Sequence, residues 1–481
     1  MVDALQRLGI DYHFQEEIEH VTRAHFITFD YFDLCNHNLY EISLRFRLLR
    51  QEGLYVPADV FNNFKNYGGK MEPIAKDIKG LMELYEASQL STIDECILDE
   101  AGAFSYRMLN EWMTNLEYHQ ANIVANTLRN PYHKSLAKFM VKSYIDYLSV
   151  TNSTSTYMNA LVELAKMDLN IVQSIYQKEI IDIIEWWKDI GLAKELKFAR
   201  DQPIKWYMWA MAILTDPSLS QQRLELTKPI SLVYIIDDIF DVRGTLDELT
   251  LFTEAVNRWE LDAIEHLADD MKICFRALYD TTNEISHKIY CEHGWNPINS
   301  LRKAWARLCN AFLLEAKWIE TGNYPKAEEY VENAIVTSGV HVAMVHVFFL
   351  MNQGIITKAE VELWDDKIPD IVLSTATILR LFDDLGSAKD ENQDGRDGSY
   401  VKIYMKENPD MSVQVARKHV MEMLSDTWKR LNHQFFSPNQ FSPCFNKACL
   451  NAARMTPLMY SYKQQNLPSL EENIKSILFG S

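Results

Sequence analysis

Apolar residues recur at intervals of three and four along almost the whole chain, and that spacing restricts the fold more than any single motif. Ile74, Ile78, Leu81 and Tyr85 fall on one helix face, and Val172, Tyr176, Ile180, Ile183 and Trp187 repeat the arrangement. Few stretches alternate with period two, and no glycine-rich loop follows a candidate strand. The 481 residues include only 16 Gly and 14 Pro, and so few turn-formers favour long helices over many short strands. No repeat of fixed period stands out, which excludes a regular solenoid. The expectation is an all-α chain in two parts. Residues 1–160 carry helices of moderate length and no clustered acidic motif, whereas 161–481 carry longer helices and all the unusual polar clusters. Turn chemistry marks loops at Asn130-Pro131, Asp216-Pro217, Asn296-Pro297, Asn408-Pro409 and Ser437-Pro438.

Composition narrows the function. A net charge of −19 repels polyphosphate backbones and excludes a general nucleic-acid binder. With 47% hydrophobic and 24% charged residues, the chain is globular rather than disordered. The most apolar stretch, Val340–Leu350, is short and holds His341 and His346, so no membrane span is expected where about 20 apolar residues are needed. The first residues, Met1 to Leu5, form neither a basic nor an apolar leader, so no secretory signal is expected. The seven cysteines are scattered without a CxxC pair, which suggests reduced thiols, mostly in the core, of an intracellular protein.

Two acidic clusters carry the chemistry. In the first, Asp237-Asp238-Ile239-Phe240-Asp241, the outer aspartates lie one helical turn apart and share a face, while Asp238 points about 100° away. Two carboxylates on one face of an apolar helix repel unless a cation lies between them, and oxygen-only ligation selects Mg²⁺ or Mn²⁺. In the second, Asp383, Ser387 and Glu391 form a polar stripe over two turns. Taken alone, each spacing suits a solvated acidic face as well as a metal site. Arg380 precedes Asp383 by three residues, and Arg200 lies in a loop, Phe198 to Pro203, upstream of the first cluster. Each suits an anion clamp, or a plain intrahelical pair and a surface arginine. The polar, glycine-containing stretch 389–400 is a candidate lid.

Together the clusters suit one task. Acidic faces bind a diphosphate only through bridging Mg²⁺, which also stabilises it as a leaving group. A carbocation left behind needs walls that stabilise it without attacking it, and Trp209, Tyr234, Phe348 and Tyr460 are aromatic candidates.

At these residues the chain resembles plant class I terpene synthases. The first cluster resembles their DDxxD motif, the second their (N/D)DxxSxxxE motif, and Arg380 stands where the family keeps a diphosphate-binding arginine. The stretches LRFRLLRQ (44–51) and LYEAS (84–88) resemble the family's N-terminal domain; WWK (186–188) and LMY (458–460) resemble its C-terminal domain. The resemblance implies a C-terminal class I terpenoid synthase bundle and an N-terminal relic α-barrel without a metal site. It implies three Mg²⁺ ions held by Asp237, Asp241, Asp383, Ser387 and Glu391, with Arg200, Arg380 and the metal-bearing Asp237, Asp241 and Asp383 at the diphosphate. Thr337, Ser338 and Gly339 resemble the helix break lining the family's pocket.

Three departures stand out. Gln202 replaces the second arginine of the family's RxR motif, Gln465 replaces an aspartate of many cyclising members, and Arg243 replaces a tyrosine. The chain also begins downstream of where the family's tandem-arginine, tryptophan motif would lie. The run ARDQPIKWYMW resembles the branch that makes acyclic alcohols. The resulting expectation is a monomeric, Mg²⁺-dependent synthase that ionises geranyl or farnesyl diphosphate and releases linalool or nerolidol, in the cytosol rather than the plastid. The rivals are a cyclising synthase, a chain-elongating prenyltransferase, which would carry two DDxxD motifs, and a non-catalytic helical scaffold.

Overall fold

The computed structural model describes residues 1–27, 38–65, 71, 77–150, 156–323, 325–351, 356–387 and 399–460. Apart from an isolated bridge between Lys65 and Met71, the regular structure among them is helical. The described chain forms two compact units: Met1–Gln173 with Trp428–Asn439, and Ser174–Thr427 with 440–460.

In the first unit, helices α1 (Leu39–Gln51), α2 (Ile78–Ser88) and α3 (Cys96–Met113) pack in chain order. Side-chain caps start two of them: Asn38 accepts from the Glu41 amide, and Asp77 from the Gly80 amide. Phe46, Leu49, Phe61, Leu81, Leu84, Leu98 and Leu109 form the core. Two arginines of the LRFRLLRQ stretch lie inside it. Arg47 reaches Glu83 and Asp3, both at 2.5 Å, and Arg50 donates to Glu95 and to the Val56 carbonyl. Buried guanidinium groups are tolerated because their protons find acceptors.

The second unit is a bundle. Helix α4 (Thr156–Ile190) enters it, followed by α5 (Pro203–Ile213), α6 (Ser220–Asp238), α7 (Asp269–His293), α8 (Ile298–Thr321), α9 (Ala327–Thr337), α10 (Val340–Leu350), α11 (Asp370–Ser387) and α12 (Pro443–Met459). Every residue of α10 is buried. A helix apolar on all sides belongs in the middle of a bundle, and α10 packs against α6, α8, α11 and α12. Its two histidines donate or accept at main-chain carbonyls, His341 at Ala304 and His346 at Val342, and burial holds both down at about 4. The stretch Ala327–Leu350 is apolar and long enough by composition to cross a membrane, but it is broken into α9 and α10 and its apolar window is 78% buried. Arg223, fully buried, fixes the start of α6 by pairing with Glu179 at 2.7 Å and bonding the Leu214 and Asp216 carbonyls. Of the described cysteines, all free, Cys274, Cys309 and Cys449 are buried but Cys96, Cys291 and Cys444 are exposed, so half rather than most serve the core.

Candidate active site

Helix α6 carries the first acidic cluster to its end. There the winding changes: Ile239–Arg243 forms a π-type turn, closed by the Gly244 amide on the Ile239 carbonyl at 2.9 Å. Such wider turns concentrate at functional sites. Asp241 lies within this turn and is exposed. Asp237 is half-buried, with 30% of its side chain exposed, whereas Asp238 is buried.

The two neighbouring aspartates divide the work on Arg200. Asp238 accepts from the Arg200 amide at 2.7 Å, and the Arg200 Nε lies 2.7 Å from its other oxygen, an ion pair rather than an aligned hydrogen bond. The Arg200 Nη2 donates to Asp237 and to the Tyr234 carbonyl, with the guanidinium 4.9 Å from the Tyr234 ring centre. Burial would lower the Arg200 pKa, but the two carboxylates outweigh it and raise it.

The second cluster repeats the plan on α11. Asp384 is fully buried and accepts from Arg380 Nη2 at 2.9 Å, the Tyr330 hydroxyl at 3.2 Å and the Tyr400 amide at 3.0 Å. Asp383 keeps 34% of its side chain exposed and lies 3.8 Å from Arg380. Arg380 also donates to the Tyr330 hydroxyl at 2.5 Å. Burial works against its charge, yet Asp384, Tyr330, Asp383 and Glu315 hold its pKa well above the ordinary value.

Between the clusters lies an aromatic group. The Trp209 indole donates to the Tyr234 hydroxyl at 3.0 Å, its ring lies 6.3 Å from that of Tyr460, and Tyr460 is hydrogen-bonded to Tyr234. Burial raises both tyrosine pKa values, and Asp383 adds to this at each. Asp237 acts electrostatically on Tyr460 too, so both acidic clusters face these rings. Phe348, the fourth aromatic candidate, packs elsewhere, among Phe349, Trp364, Phe441 and Phe445.

The helix break stands beside the same residues. Thr337 ends α9, and Gly339, at φ +70°, starts α10 in the left-handed region. A Cβ on Gly339 would meet Val233 of α6 at 2.4 Å, so only glycine lets the break pack this close to the first acidic helix. Ser338 bonds back to the Ile335 carbonyl, while the Thr337 hydroxyl donates to Glu315 at 2.9 Å. Burial pushes the Glu315 carboxyl up to about 7 against the pull of Arg380, Thr337 and Asn333, with Asp237 adding to the rise. No sequence motif singled out Glu315 or Tyr330, and Asp384, a letter of the second motif, was given no role of its own; their roles arise from contacts between helices distant in sequence.

Arg200, Asp237, Arg380, Asp383, Trp209, Tyr460 and Thr337–Gly339 therefore come together. Ser387 is the last residue of α11; Glu391, Gln465 and the candidate lid up to residue 398 lie outside the described residues. Arg243 pairs with Asp270 at 2.8 Å. An open cleft of about 560 Å³, lined by Lys303, Arg307, Asn310 and Asn333 among others, is bordered by neither acidic pair.

The donors fit a hard divalent ion. Asp237 and Asp383 are carboxylates about a third exposed, Asp237 also accepting from Arg200 and Asp383 lying 3.8 Å from Arg380, while their buried neighbours Asp238 and Asp384 anchor the same two arginines. Among the described residues no three His, Cys, Asp or Glu side chains form one metal cage. Mg²⁺ needs none, since it combines one or two carboxylates with water and phosphate oxygens.

Comparison with known proteins decides the family. Residues 188–430 match the metal-binding domain of the terpene synthase family, and residues 1–128 match the terpene synthase N-terminal domain. The chain belongs to the terpene synthase family. It is 58% identical to a probable terpene synthase of Ricinus communis, over all of this chain and 85% of that protein. It is 53% identical to an (E)-nerolidol synthase of Cannabis sativa (99% and 88% covered) and 47% identical to a chloroplastic tricyclene synthase of Antirrhinum majus (99% and 82%). Isoprene synthase from grey poplar, solved with three Mg²⁺ ions and dimethylallyl-S-thiolodiphosphate, matches with a TM-score of 0.91 at 34% identity, covering 99% of this chain and 90% of that one. A limonene synthase structure matches with a TM-score of 0.94 at 31% identity, covering 99% and 89%. This terpene synthase is thus a lyase acting on prenyl diphosphates, with the family's two-domain helical fold. The chloroplastic relative leaves a plastid location open, and none of these names favours the cytosol.

Proposed function

We propose that this terpene synthase ionises geranyl or farnesyl diphosphate and lets water capture the allylic cation, giving linalool or nerolidol and diphosphate. The observation that carries the reading is the paired acidic plan, in which two open carboxylates stand beside two arginines and face one aromatic group. Asp237, Asp241, Asp383, Ser387 and Glu391 are the residues that would hold Mg²⁺, the cofactor, which supplies charge neutralisation to the departing diphosphate. Arg200 and Arg380 bind and orient the diphosphate, each fixed by its buried aspartate so that little reorganisation remains at the moment of reaction. Heterolysis of the C1–O bond leaves the allylic cation against the faces of Trp209, Tyr234 and Tyr460. Water then adds at C3, and its surplus proton passes to the departed diphosphate.

The acyclic product is supported by the nerolidol synthase relative and by Gln202, a neutral amide at the family's clamp. The tricyclene synthase relative favours a second reading, a cyclising enzyme. Incubation of the purified protein with each diphosphate and Mg²⁺, followed by gas chromatography, tests both. Mainly linalool and nerolidol support the first reading, and mainly ring hydrocarbons overturn it.

A further inference from the structure

Gln202 is exposed where it precedes α5, so the side chain replacing the second clamp arginine stands in solvent. One turn on, Lys205 is only partly exposed. Its ammonium lies 6.0 Å from the centre of the Tyr234 ring, the same ring against which Arg200 rests at 4.9 Å. The charged groups that act on it are Arg200 and Asp383, one from each side of the site. Among the described residues Lys205 makes no ion pair of its own, whereas Arg200 is engaged by Asp237 and Asp238, and Arg380 by Asp384. Burial and then the Arg200 charge lower its pKa, with Asp383 opposing. A partly desolvated ammonium beside a second cation becomes favourable when an anion is placed between them.

We propose that Lys205 is a diphosphate-binding residue of this site, whose ammonium supplies the positive charge that Gln202 lacks. The proposal rests on the diphosphate reading above. Lysine brings a point charge with rotatable donors, not the planar fork of arginine. It therefore restores the charge of the clamp without restoring two-point geometry. The competing arrangement is a lysine whose stem merely covers Tyr234 while its ammonium stays in water.

Calorimetric titration with inorganic pyrophosphate in the presence of Mg²⁺ distinguishes the two, using wild type, Lys205→Gln and Lys205→Arg. Loss of one charge-assisted contact should weaken pyrophosphate binding roughly 10- to 100-fold in Lys205→Gln. Lys205→Arg should stay within about threefold of wild type, and adding Gln202→Arg to Lys205→Gln should recover part of the loss. Both single variants should melt within about 2 °C of wild type. Equal affinity of wild type and Lys205→Gln overturns the proposal and leaves the diphosphate reading standing. So does equal loss in Lys205→Gln and Lys205→Arg with lowered melting in both, which marks a packing role. Failure of wild type to bind pyrophosphate at all overturns the diphosphate reading and this proposal with it.

Discussion

Asp383 and Asp384 are neighbours in sequence, and alanine at each should fail in a different way. Asp384 is fully buried and accepts from Arg380, the Tyr330 hydroxyl and the Tyr400 amide. Its removal strands a largely buried guanidinium and an amide. Breaking a buried ion pair from one side costs about 3–5 kcal/mol. In a domain of 150–250 residues each kcal/mol moves the melting temperature by about 2–4 °C, so Asp384→Ala should melt about 6–20 °C early. Asp383 is one-third exposed and 3.8 Å from the same arginine, a pair worth about 0–1 kcal/mol. Asp383→Ala should therefore melt within about 4 °C of wild type, while turnover falls on the order of 10³-fold through the lost leaving-group stabilisation. Circular-dichroism melts of the metal-free protein, together with steady-state diphosphate release, read both quantities. If Asp384→Ala melts like wild type, or Asp383→Ala loses as much stability as Asp384→Ala, the division between a buried anchor and an open ligand is wrong.

Three more outcomes are expected. Asp237→Ala should lose turnover on the order of 10³-fold with a circular-dichroism spectrum like that of wild type, and near-normal turnover would remove Asp237 from the site. Gln202→Arg should raise the share of cyclic products from geranyl and farnesyl diphosphate, because a firmer clamp gives the cation time to rearrange before water arrives; an acyclic wild type with an unchanged variant would spare the product and refute this reason. Glu315, with a folded value of about 7 against an ordinary 4.5, binds more protons in the folded state, so its contribution to stability is complete below about pH 4.5 and is lost as pH rises through 7. Melting of the metal-free Glu315→Gln variant across that range should lack this part of the fall, and a slope equal to that of wild type would contradict the shift.

Helical spacing made the fold legible. Val172, Tyr176, Ile180, Ile183 and Trp187, read as one helix face, are all buried along α4. The sequence also drew attention to both acidic clusters, since paired carboxylates in apolar helices are conspicuous. Which member of each pair turns inward was not readable, because it depends on Arg200 arriving from the loop before α5 and Tyr330 from α9. The π-type turn escaped notice for a related reason: the letters between Asp237 and Asp241 suit ordinary winding equally well. Phe348 was misplaced among the cation-facing rings because an aromatic residue in an apolar helix carries no sign of which cluster it joins. Nothing in the letters around Lys205 marks it, because its place beside the Tyr234 ring comes from the packing of α5 against α6.

The contact between Gly339 and Val233 has a consequence for anyone who sets out to redesign the product spectrum. The left-handed backbone at Gly339 and the 2.4 Å clearance together bar any larger residue there. Position 233 is thus the adjustable half of the pair. A smaller residue at 233 would let α10 settle toward α6, and a larger one would wedge them apart, reshaping the break without altering any residue assigned to bind substrate. A library that keeps Gly339 and varies 233 therefore samples the contours open to this break, since the backbone at 339 strains any side chain there whatever space is made beside it.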